Sequence, residues 1–448
     1  MKTVKNIFIF LREVRTYLKA KRMTKMRKIL ILFLLALLPS YYWGEAATSS
    51  TLIQQTDLVY QGAFRLPSGD FGSPQYSGFN YGGTAIGYNP VNDSLYVVGH
   101  DWYQLSAEIK IPQIINSNNL SSLNTATVLQ PFYDAFEGLR MSVDPTDING
   151  IKVGGQMIYG DQLYLSAYTF YDADNTQSTS HFVRPLNLST QGQVRGPYKI
   201  GDIGAGFVAG YMTQIPQEWQ SELGGQAITG KCCLAIISRT SLGPAAFSFN
   251  PQDVNNQNPV SATPLLYYPI NYPTIGKWGE EGNLYNGTMQ IGGIVFPVGS
   301  RSVLFFGSSA DTFCYGYGTT DPNLVGTKDQ NGVKYCYDPT SSSKGTHGYP
   351  YRYKVYAYDI NDMIAVRNGQ KQPWEITPYA NWEIVLPFRN ENRVIRIGGV
   401  AYDPQAQRIF VSQEYGDGSL PVIQVFKVSV QVVADTTPPA APSGVTVN

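Results

Sequence analysis

The sequence predicts an all-β protein: a β-propeller of five four-stranded blades, closed by the N-terminal strand, which completes the last blade. Three observations lead to this prediction. A unit of three short apolar runs separated by turn signals recurs along the chain. Each copy begins near one or two glycines, and a further apolar run precedes each copy. Four-stranded repeats that bury both faces against their neighbours are typical of propellers.

The clearest copy is 396–428, RIGGVAYDPQAQRIFVSQEYGDGSLPVIQVFKV. Gly398-Gly399 opens a strand that ends at Asp403-Pro404, 408–412 forms a second strand, and 422–428 forms a third after a Gly-rich loop. Alternating apolar residues and short turns favour an antiparallel meander over a helix.

Four earlier copies follow the same order of first, middle and third strand. Their predicted strands are 82–88, 94–99 and 107–111; 154 onward, 162–168 and 181–186; 210–215, 232–238 and 246–249; and 292–296, 302–307 and 354–360. The predicted outer strands are 57–66, 128–133, 198–203, 264–270 and 382–388. Pro216 and Gly225 bound a short helix inside the third copy.

The first and last predicted strands complement each other. The strand 57–66 has no partner before it, and the last copy lacks an outer strand. Joining them closes the ring and removes an exposed sheet edge. A β-sandwich with a second β domain is the alternative fold.

Composition and the N-terminal segment indicate export. The 448 residues have zero formal net charge, so nothing points to a nucleic-acid partner. Lys25-Met26-Arg27-Lys28 precedes the apolar run 29–38, and small residues end at Ala47, as in a secretory signal peptide; a retained anchor is the alternative. We expect an extension and signal peptide over 1–46, a propeller over 52–433, and a Pro-rich linker with the start of a possible fibronectin type III-like module over 434–448. We also expect a secreted or cell-surface location, with no transmembrane anchor after signal cleavage.

Four cysteines are present. Cys314 and Cys336 flank a Gly/Asp/Asn-rich insertion and are predicted to form a disulfide, with two free thiols as the alternative. Cys232-Cys233 are interpreted as packing residues, because no Cys-x-x-Cys motif or His pair accompanies them.

Two resemblances accompany these patterns. The segment PPAAPSGVTV, 438–447, resembles the first strand of fibronectin type III domains in secreted bacterial modular enzymes and adhesins. The repeats resemble those of uncharacterised secreted β-propeller proteins. Neither resemblance implies an activity or transfers a functional residue.

The candidate ligand-binding residues lie in the loops that join middle to third strands and outer to first strands. In such propellers these loops gather at one end of the central channel. The candidates are His100, Asp101, Trp102, Glu137, Arg239, Trp278, Glu391, Arg393, Glu414 and Tyr415. Further residues in the same loops are Tyr168, Tyr171, Asp172, His181, Tyr285 and Asp311.

Carboxylates among aromatic rings suit an extracellular polysaccharide or cell-surface glycan. The first hypothesis is therefore a carbohydrate-binding module. The second is a carbohydrate-active enzyme, either a glycoside hydrolase with two carboxylates or a polysaccharide lyase with a His or Tyr base and an Arg. Its candidate catalytic residues are Glu280, Glu281, His347, Tyr349 and Arg140. The third hypothesis is a structural or protein-interaction scaffold.

Plainer explanations exist for the same residues. The exposed Trp and Tyr side chains could pack within loops, His100-Asp101 could form a local hydrogen bond, and Glu280-Glu281 could form a solvated turn. We expect no cofactor and no metal site. No nucleophile elbow, Walker loop or EF-hand loop occurs in the sequence.

Overall fold

The computed structural model describes residues 51–72, 76–146, 150–231, 233–269, 275–281 and 284–429. The predicted signal peptide and the segment that resembles a fibronectin type III strand lie outside these residues. Within the described ranges, no helix has the length and apolarity needed to cross a membrane.

Five sheets of the described chain have four strands each, joined in antiparallel order. After β1 (Leu58–Arg65), sheet 1 contains β2 (Ile86–Asn89), β3 (Ser94–Val98), β4 (Ser106–Lys110) and β5 (Thr127–Tyr133). Sheet 2 contains β6 (Ile151–Tyr159), β7 (Gln162–Thr169), β8 (His181–Pro185) and β9 (Arg195–Tyr198). Sheet 3 contains β10 (Met212–Gln214), β11 (Ala227–Thr229), β12 (Ala246–Phe249) and β13 (Ala262–Leu266).

The remaining strands form sheets 4 and 5 and an inserted sheet. Sheet 4 contains β14 (Gln290–Val295) and β15 (Ser302–Ala310), then, after the inserted strands β16 (Cys314–Thr319), β17 (Tyr335–Tyr337) and β18 (Lys344–His347), β19 (Tyr351–Asp359) and β20 (Ala380–Glu383). Sheet 5 contains β21 (Ile397–Asp403), β22 (Arg408–Asp417), β23 (Leu420–Val428) and β1. The all-β prediction and the four-stranded antiparallel sheets are confirmed.

The described helices are few and short. They are α1 (Gln217–Leu223), α2 (Ile360–Arg367) and the 3-10 helices Gln55–Asp57, Leu120–Ser122, Leu139–Val143, Ala205–Phe207, Ile237–Arg239 and Pro251–Asn255. The predicted helix after Pro216 is confirmed as α1, and it ends at Gly224, which has a φ of 72°. The helix α2 was not predicted; the Asp359 side chain caps it by accepting a hydrogen bond from Asn361 N–H at 2.9 Å.

The first strands of the five sheets stand side by side in a closed ring. β2 contacts β6 and β21, β10 contacts β6 and β14, and β14 contacts β21. The ring is completed at the periphery by β1, which pairs with β23 from Leu58 opposite Val428 to Arg65 opposite Val422. The sheets therefore have the radial arrangement of a β-propeller, in which buried apolar clusters fill the space between neighbouring sheets.

The glycine pairs of the repeats allow adjacent first strands to approach closely. A Cβ atom at Gly154 would lie 1.8 Å from the carbonyl oxygen of Ala209, and one at Gly398 would lie 2.1 Å from that of Gly83. The expectation that each pair opens its strand is wrong for Gly154, which lies inside β6 beside a β-bulge. A bulge and a missing side chain together bend the strand against its neighbour.

The predicted middle strand of the third copy, 232–238, is wrong. The middle strand is β11, where Ile228 lies opposite Thr213 and Ser248. The apolar run instead crosses toward sheet 2: Ala235 N–H donates to the Phe170 carbonyl at 3.0 Å, and Leu234 packs against Tyr168. A middle strand must pair its backbone with two neighbouring strands, and an apolar run in the sequence does not reveal this pairing.

The inserted sheet lies between β15 and β19. Cys314 and Cys336 are joined in it by a disulfide, with 5.8 Å between their Cα atoms. Beside the disulfide, His347 Nδ1 and an Asp338 carboxylate oxygen are 2.8 Å apart, and both side chains are buried. Covalent and polar cross-links therefore hold an insertion that has few apolar residues in the core.

Candidate functional site

The candidate site lies on the loop-rich end of the ring, at the turn after β3. In this turn Tyr103 N–H and Gln104 N–H both donate to the His100 carbonyl, at 3.0 and 2.9 Å. Gln104 is 1% exposed, and its side-chain oxygen accepts a hydrogen bond from Val153 N–H at 2.6 Å. A buried amide therefore fastens the turn of sheet 1 to the first strand of sheet 2.

Three tyrosine rings surround His100. The centroids of Tyr103, Tyr81 and Tyr76 lie 5.2, 5.3 and 6.1 Å from the imidazole centroid. Tyr76 stacks on Tyr103 at 4.5 Å, and all three tyrosines are more than 40% exposed. Exposed rings that hold one another in place form a pre-ordered surface for a flat apolar face of a ligand.

The environment of His100 favours its neutral form. Its Nδ1 accepts a hydrogen bond from Trp102 N–H at 3.2 Å. Burial lowers its pKa, and Lys152 lowers it further against the opposing effect of Asp101. With Nδ1 as acceptor, the proton of the neutral ring is on Nε2, which can donate to a ligand.

Asp101 is anchored by its neighbours. Lys152 Nζ lies 3.1 Å from an Asp101 carboxylate oxygen and donates to the Asp101 carbonyl at 2.7 Å. Gln104 Nε2 donates to the same carbonyl at 2.5 Å. The Asp101 side chain is nevertheless 43% exposed, so its carboxylate can accept further hydrogen bonds.

A second group of charges lies nearer the centre of the ring, on sheet 5. Arg396 precedes β21, and its carbonyl accepts a hydrogen bond from Glu414 N–H at 3.3 Å. Tyr415 follows Glu414, with its ring 6.2 Å from Tyr81 and 4.9 Å from the Arg393 guanidinium carbon. These contacts join sheet 5 to the tyrosines around His100 in one continuous site.

Glu414 is the carboxylate with a perturbed pKa in this group. Burial raises its pKa, the charge of Asp101 raises it further, and Arg396 opposes both. Burial also raises the pKa of Tyr415, and Glu414 adds to this effect. The site therefore holds two carboxylates in different environments: burial raises the pKa of Glu414, whereas Asp101 is exposed and paired with a lysine.

Four residues of the site have left-handed backbone. Tyr76, Tyr81, Gln104 and Tyr415 have φ values of 62°, 58°, 57° and 59°. Such conformations cost of order 1–3 kcal/mol each for non-glycine residues and cluster at functional sites. Here three of them carry aromatic side chains of the site, and the fourth carries the buried Gln104 amide that binds Val153 N–H.

Five predicted ligand residues are thus brought together: His100, Asp101, Arg393, Glu414 and Tyr415. Trp102 lies on the rim of the same turn and is 81% exposed.

The other predicted ligand residues have local partners. Glu137 accepts a hydrogen bond from Gly192 N–H at 2.6 Å, and Arg239 donates to the Ala173 carbonyl at 2.8 Å. Trp278 packs against Phe313 at 5.0 Å between ring centroids. Glu391 pairs with Arg389 at 3.0 Å and is exposed on the loop that carries Arg393.

The predicted catalytic residues do not assemble into one group. Glu280 pairs with Lys277 at 3.0 Å, and Glu281 accepts a hydrogen bond from Phe313 N–H at 3.3 Å. Arg140 is buried, where its guanidinium donates to the Ile151 carbonyl and burial lowers its pKa.

His347 and Tyr349 lie in and beside the inserted sheet. Both ring nitrogens of His347 are engaged, one with Asp338 and the other with the Ser343 carbonyl at 2.8 Å. Burial lowers the pKa of His347, but the Asp338 and Ser343 contacts outweigh it and raise the pKa overall. Tyr349 contacts Tyr337 edge-on at 5.6 Å between centroids. His347 therefore has a structural environment.

Several site residues escaped the sequence analysis. They are Tyr76, Tyr81, Gln104, Lys152 and Arg396. A positional signal existed for two of them, because Lys152 and Arg396 each stand two residues before a glycine pair, Gly154-Gly155 and Gly398-Gly399. Those pairs mark the first strands at the ring centre, so the residue two positions earlier reaches the channel mouth.

The opposite mouth of the channel contains a cavity of about 380 Å³. Its walls include Met157, Met212, Phe296 and Val400, and Glu218 is the charged residue of its lining. None of the predicted site residues lines it. The ring centre between the two mouths has about 10 Å³ of free volume around the glycine pairs, which keeps them apart.

Among the described residues, no group of three or more His, Cys, Asp or Glu side chains is arranged to hold a metal ion. The candidate site offers two carboxylates, an imidazole, a lysine, two guanidinium groups and four tyrosines.

Comparison with known proteins gives distant structural likenesses. No protein-family model matches the chain, and no curated protein matches it. An endo-arabinanase of family GH43 from Bacillus licheniformis is similar over 81% of this chain and 95% of its own, at 12% identity and a TM-score of 0.38. A putative glycoside hydrolase from Parabacteroides distasonis is similar over 84% and 99%, at 9% identity and a TM-score of 0.39. A protein described under the GH130 family of mannoside phosphorylases, whose glycoside hydrolases target β-1,2 mannosidic linkages in Candida mannan, is similar over 84% and 96%, at 9% identity and a TM-score of 0.39.

Proposed function

We propose that this chain is an exported five-bladed β-propeller that binds an extracellular carbohydrate at the loop-rich mouth of its channel. The observation that carries the proposal is the joint exposure of Tyr76, Tyr81 and Tyr103 beside the polar groups of His100 and Asp101. Sugar rings present C–H faces that pack on aromatic rings, and hydroxyl groups that need fixed donors and acceptors at the edge.

The polar groups suit this ligand class. Asp101 offers an accessible carboxylate that is held by Lys152, and neutral His100 offers a donor. Because neighbouring groups fix both side chains, little conformational entropy is lost when a ligand hydrogen-bonds to them.

Export and domain limits belong to the same proposal. The disulfide between Cys314 and Cys336 supports an oxidising compartment, and the basic and apolar segments before residue 39 support secretion. We place the propeller at 52–433, after a signal peptide within 1–46 and before a linker at 434–448. Five four-stranded sheets in the described chain support the count of five blades.

The test is retention on a panel of neutral and uronate-containing polysaccharides, recorded together with released reducing or unsaturated ends. The wild-type protein should be retained by at least one polymer, and Tyr81→Ala should lose retention. The matched control is Tyr337→Ala, which removes an exposed tyrosine from the inserted sheet. Equal retention of both variants would contradict the placement of the site. No retention of the wild type would favour a protein partner or a structural role.

The Glu414 carboxyl favours hydrolysis as a second candidate. A glycoside hydrolase needs one carboxyl group that holds its proton and one that is ionised. Burial and Asp101 raise the pKa of Glu414, whereas Asp101 is ion-paired. Released reducing ends that disappear in Glu414→Gln and in Asp101→Asn would establish this activity. Retention without release would leave the binding function.

A further inference from the structure

Arg396, which directly precedes β21, is an exposed arginine without an ion pair among the described residues. Within the described ranges its guanidinium donates no hydrogen bond and has no carboxylate within 4 Å. By contrast, Arg65, Arg301 and Arg352 have carboxylates at 2.7, 3.1 and 2.8 Å.

The surroundings of Arg396 keep it charged. Burial opposes its charge, but Glu414 and then Cys233, Tyr415 and Tyr168 outweigh burial, and its pKa is raised. A guanidinium carries five N–H donors in a planar fork that matches a carboxylate. An exposed guanidinium with unused donors of this kind suits an anionic group.

The local charge balance leaves this cation uncompensated. Lys152 and Asp101 neutralise each other at 3.1 Å. Arg393, the second cation, lies over the Tyr415 ring and has no ion pair in the part of the chain that the structure describes. Glu414 is half-buried and supplies one negative charge against the two arginines, raising the pKa of Arg396. At least one positive charge therefore remains without a counter-charge.

We propose that the site selects acidic glycans, with the carboxylate of a uronate-type sugar held by Arg396 and Arg393 while the tyrosines around His100 carry the sugar rings. This inference rests on the proposed carbohydrate function and adds the chemical class of the sugar. Contacts run from His100 to Tyr81, from Tyr81 to Tyr415 and from Tyr415 to Arg393, so a single glycan that carries its own carboxylate can reach both the tyrosine surface and the arginines.

The experiment compares each acidic polysaccharide with its carboxyl-reduced counterpart, in which the uronate has become a neutral sugar. Polygalacturonate, alginate and a glucuronate-containing polymer are the probes, and the full chain is used throughout. The wild type should bind one acidic form about tenfold or more tightly than the reduced form, since a hydrogen-bonded charge is involved. Arg396→Gln should abolish the difference, and Arg396→Lys should restore part of it.

Arg195→Gln is the control, because Arg195 is an exposed arginine on the outer strand β9. It should bind both forms like the wild type. We expect the Arg396 variants to keep the wild-type unfolding midpoint, because the side chain makes no hydrogen bonds. An unchanged midpoint excludes loss of fold as the cause of weaker binding.

Two results overturn the inference in distinguishable ways. Equal binding of acidic and reduced polymers by the wild type refutes the acidic specificity and leaves the carbohydrate function. Absence of binding to every polymer refutes both. If Arg396→Gln still prefers the acidic polymers, the preference does not come from Arg396 and the proposal is overturned. The proposal is also overturned if Arg195→Gln and Arg396→Gln bind dextran sulfate equally well, because binding then depends on unspecific charge.

Discussion

Substitution of Gly154 by alanine tests the close approach of first strands on which the whole site depends. The new Cβ atom would lie 1.8 Å from the Ala209 carbonyl oxygen and 2.8 Å from its carbon. Favourable non-bonded separations are about 3.5 Å, so β6 and the segment before β10 must move apart by more than 1 Å. That segment is held in place, since Gly210 N–H donates to the Gly230 carbonyl at 2.7 Å.

The cost follows from overpacking against a backbone that cannot yield. Inserted methyl groups in packed interiors cost about 1–3 kcal/mol, and more where rigid atoms clash. We expect a loss of about 3 kcal/mol in the free energy of unfolding. With an unfolding entropy of about 2 cal/mol/K per residue, a domain of about 380 residues loses about 4 °C in Tm.

Urea unfolding followed by tryptophan fluorescence, and calorimetry, would measure the change. The control is Gly345→Ala in β18, where an added Cβ meets nothing within 4 Å; we expect a change within about 0.5 kcal/mol. If Gly154→Ala unfolds at the wild-type midpoint, the inner strands do not pack as described, and the reasoning that places Lys152 and Arg396 at one channel mouth fails.

Three further predictions concern the Gln104 amide, the His181 imidazole and the disulfide between Cys314 and Cys336. Gln104→Ala should lower the free energy of unfolding by about 1–3 kcal/mol, because Val153 N–H loses its acceptor and the Asp101 carbonyl loses a donor. An unfolding midpoint equal to that of a surface variant such as Gln61→Ala would contradict this role. Burial lowers the pKa of His181 to about 3, so between about pH 6.5 and 3 the unfolded chain binds a proton that the folded chain does not bind. The free energy of unfolding should therefore fall as pH decreases from about 6.5 toward 3. This fall should be smaller in His181→Asn, and identical pH profiles of the two proteins would argue against a buried neutral ring. The double variant Cys314→Ala/Cys336→Ala should expose the insertion between β15 and β19 to limited proteolysis, since the model for a loop of this size assigns about 3 kcal/mol to the cross-link; unchanged cleavage kinetics would show that the Asp338–His347 contact suffices.

Much of the β-strand order followed from local signals. Turn residues such as Asp403-Pro404 end a strand where the structure ends β21, and alternation across 422–428 marks β23. These signals work because short antiparallel strands depend on nearby turns and on side-chain alternation. The pairing of β1 with β23 was predictable as well, because an unpaired strand at one end and a missing strand at the other complement each other.

In the third copy these local signals predicted the wrong segment as the middle strand. The run 232–238 is more apolar than Ala227–Thr229, yet the shorter segment is the strand. Leu234 is half-buried and packs against the cluster of Tyr168 and Ala205, whereas Cys233 and Ala235 are exposed. An apolar run is therefore not sufficient to identify a buried strand.

The candidate site was predictable in its loops and not in its contacts. His100, Asp101, Glu414 and Tyr415 were found because they follow middle strands. Arg396 and Lys152 were missed because they lie at the start of first strands, Lys152 inside β6 and Arg396 directly before β21, and their importance depends on ring closure. Conversely, His347 was selected as a rare titratable residue, although its partner Asp338 lies nine positions away and engages it within the insertion.

A crystal structure of the protein with a bound oligosaccharide from a retained polymer tests the binding site directly. We predict a sugar ring against Tyr76, Tyr81 or Tyr103, with a carboxylate, where the sugar has one, at the Arg396 guanidinium. A sugar bound instead in the 380 Å³ cavity beside Met157 and Met212, or on an outer strand, would contradict a binding site at the loop-rich mouth.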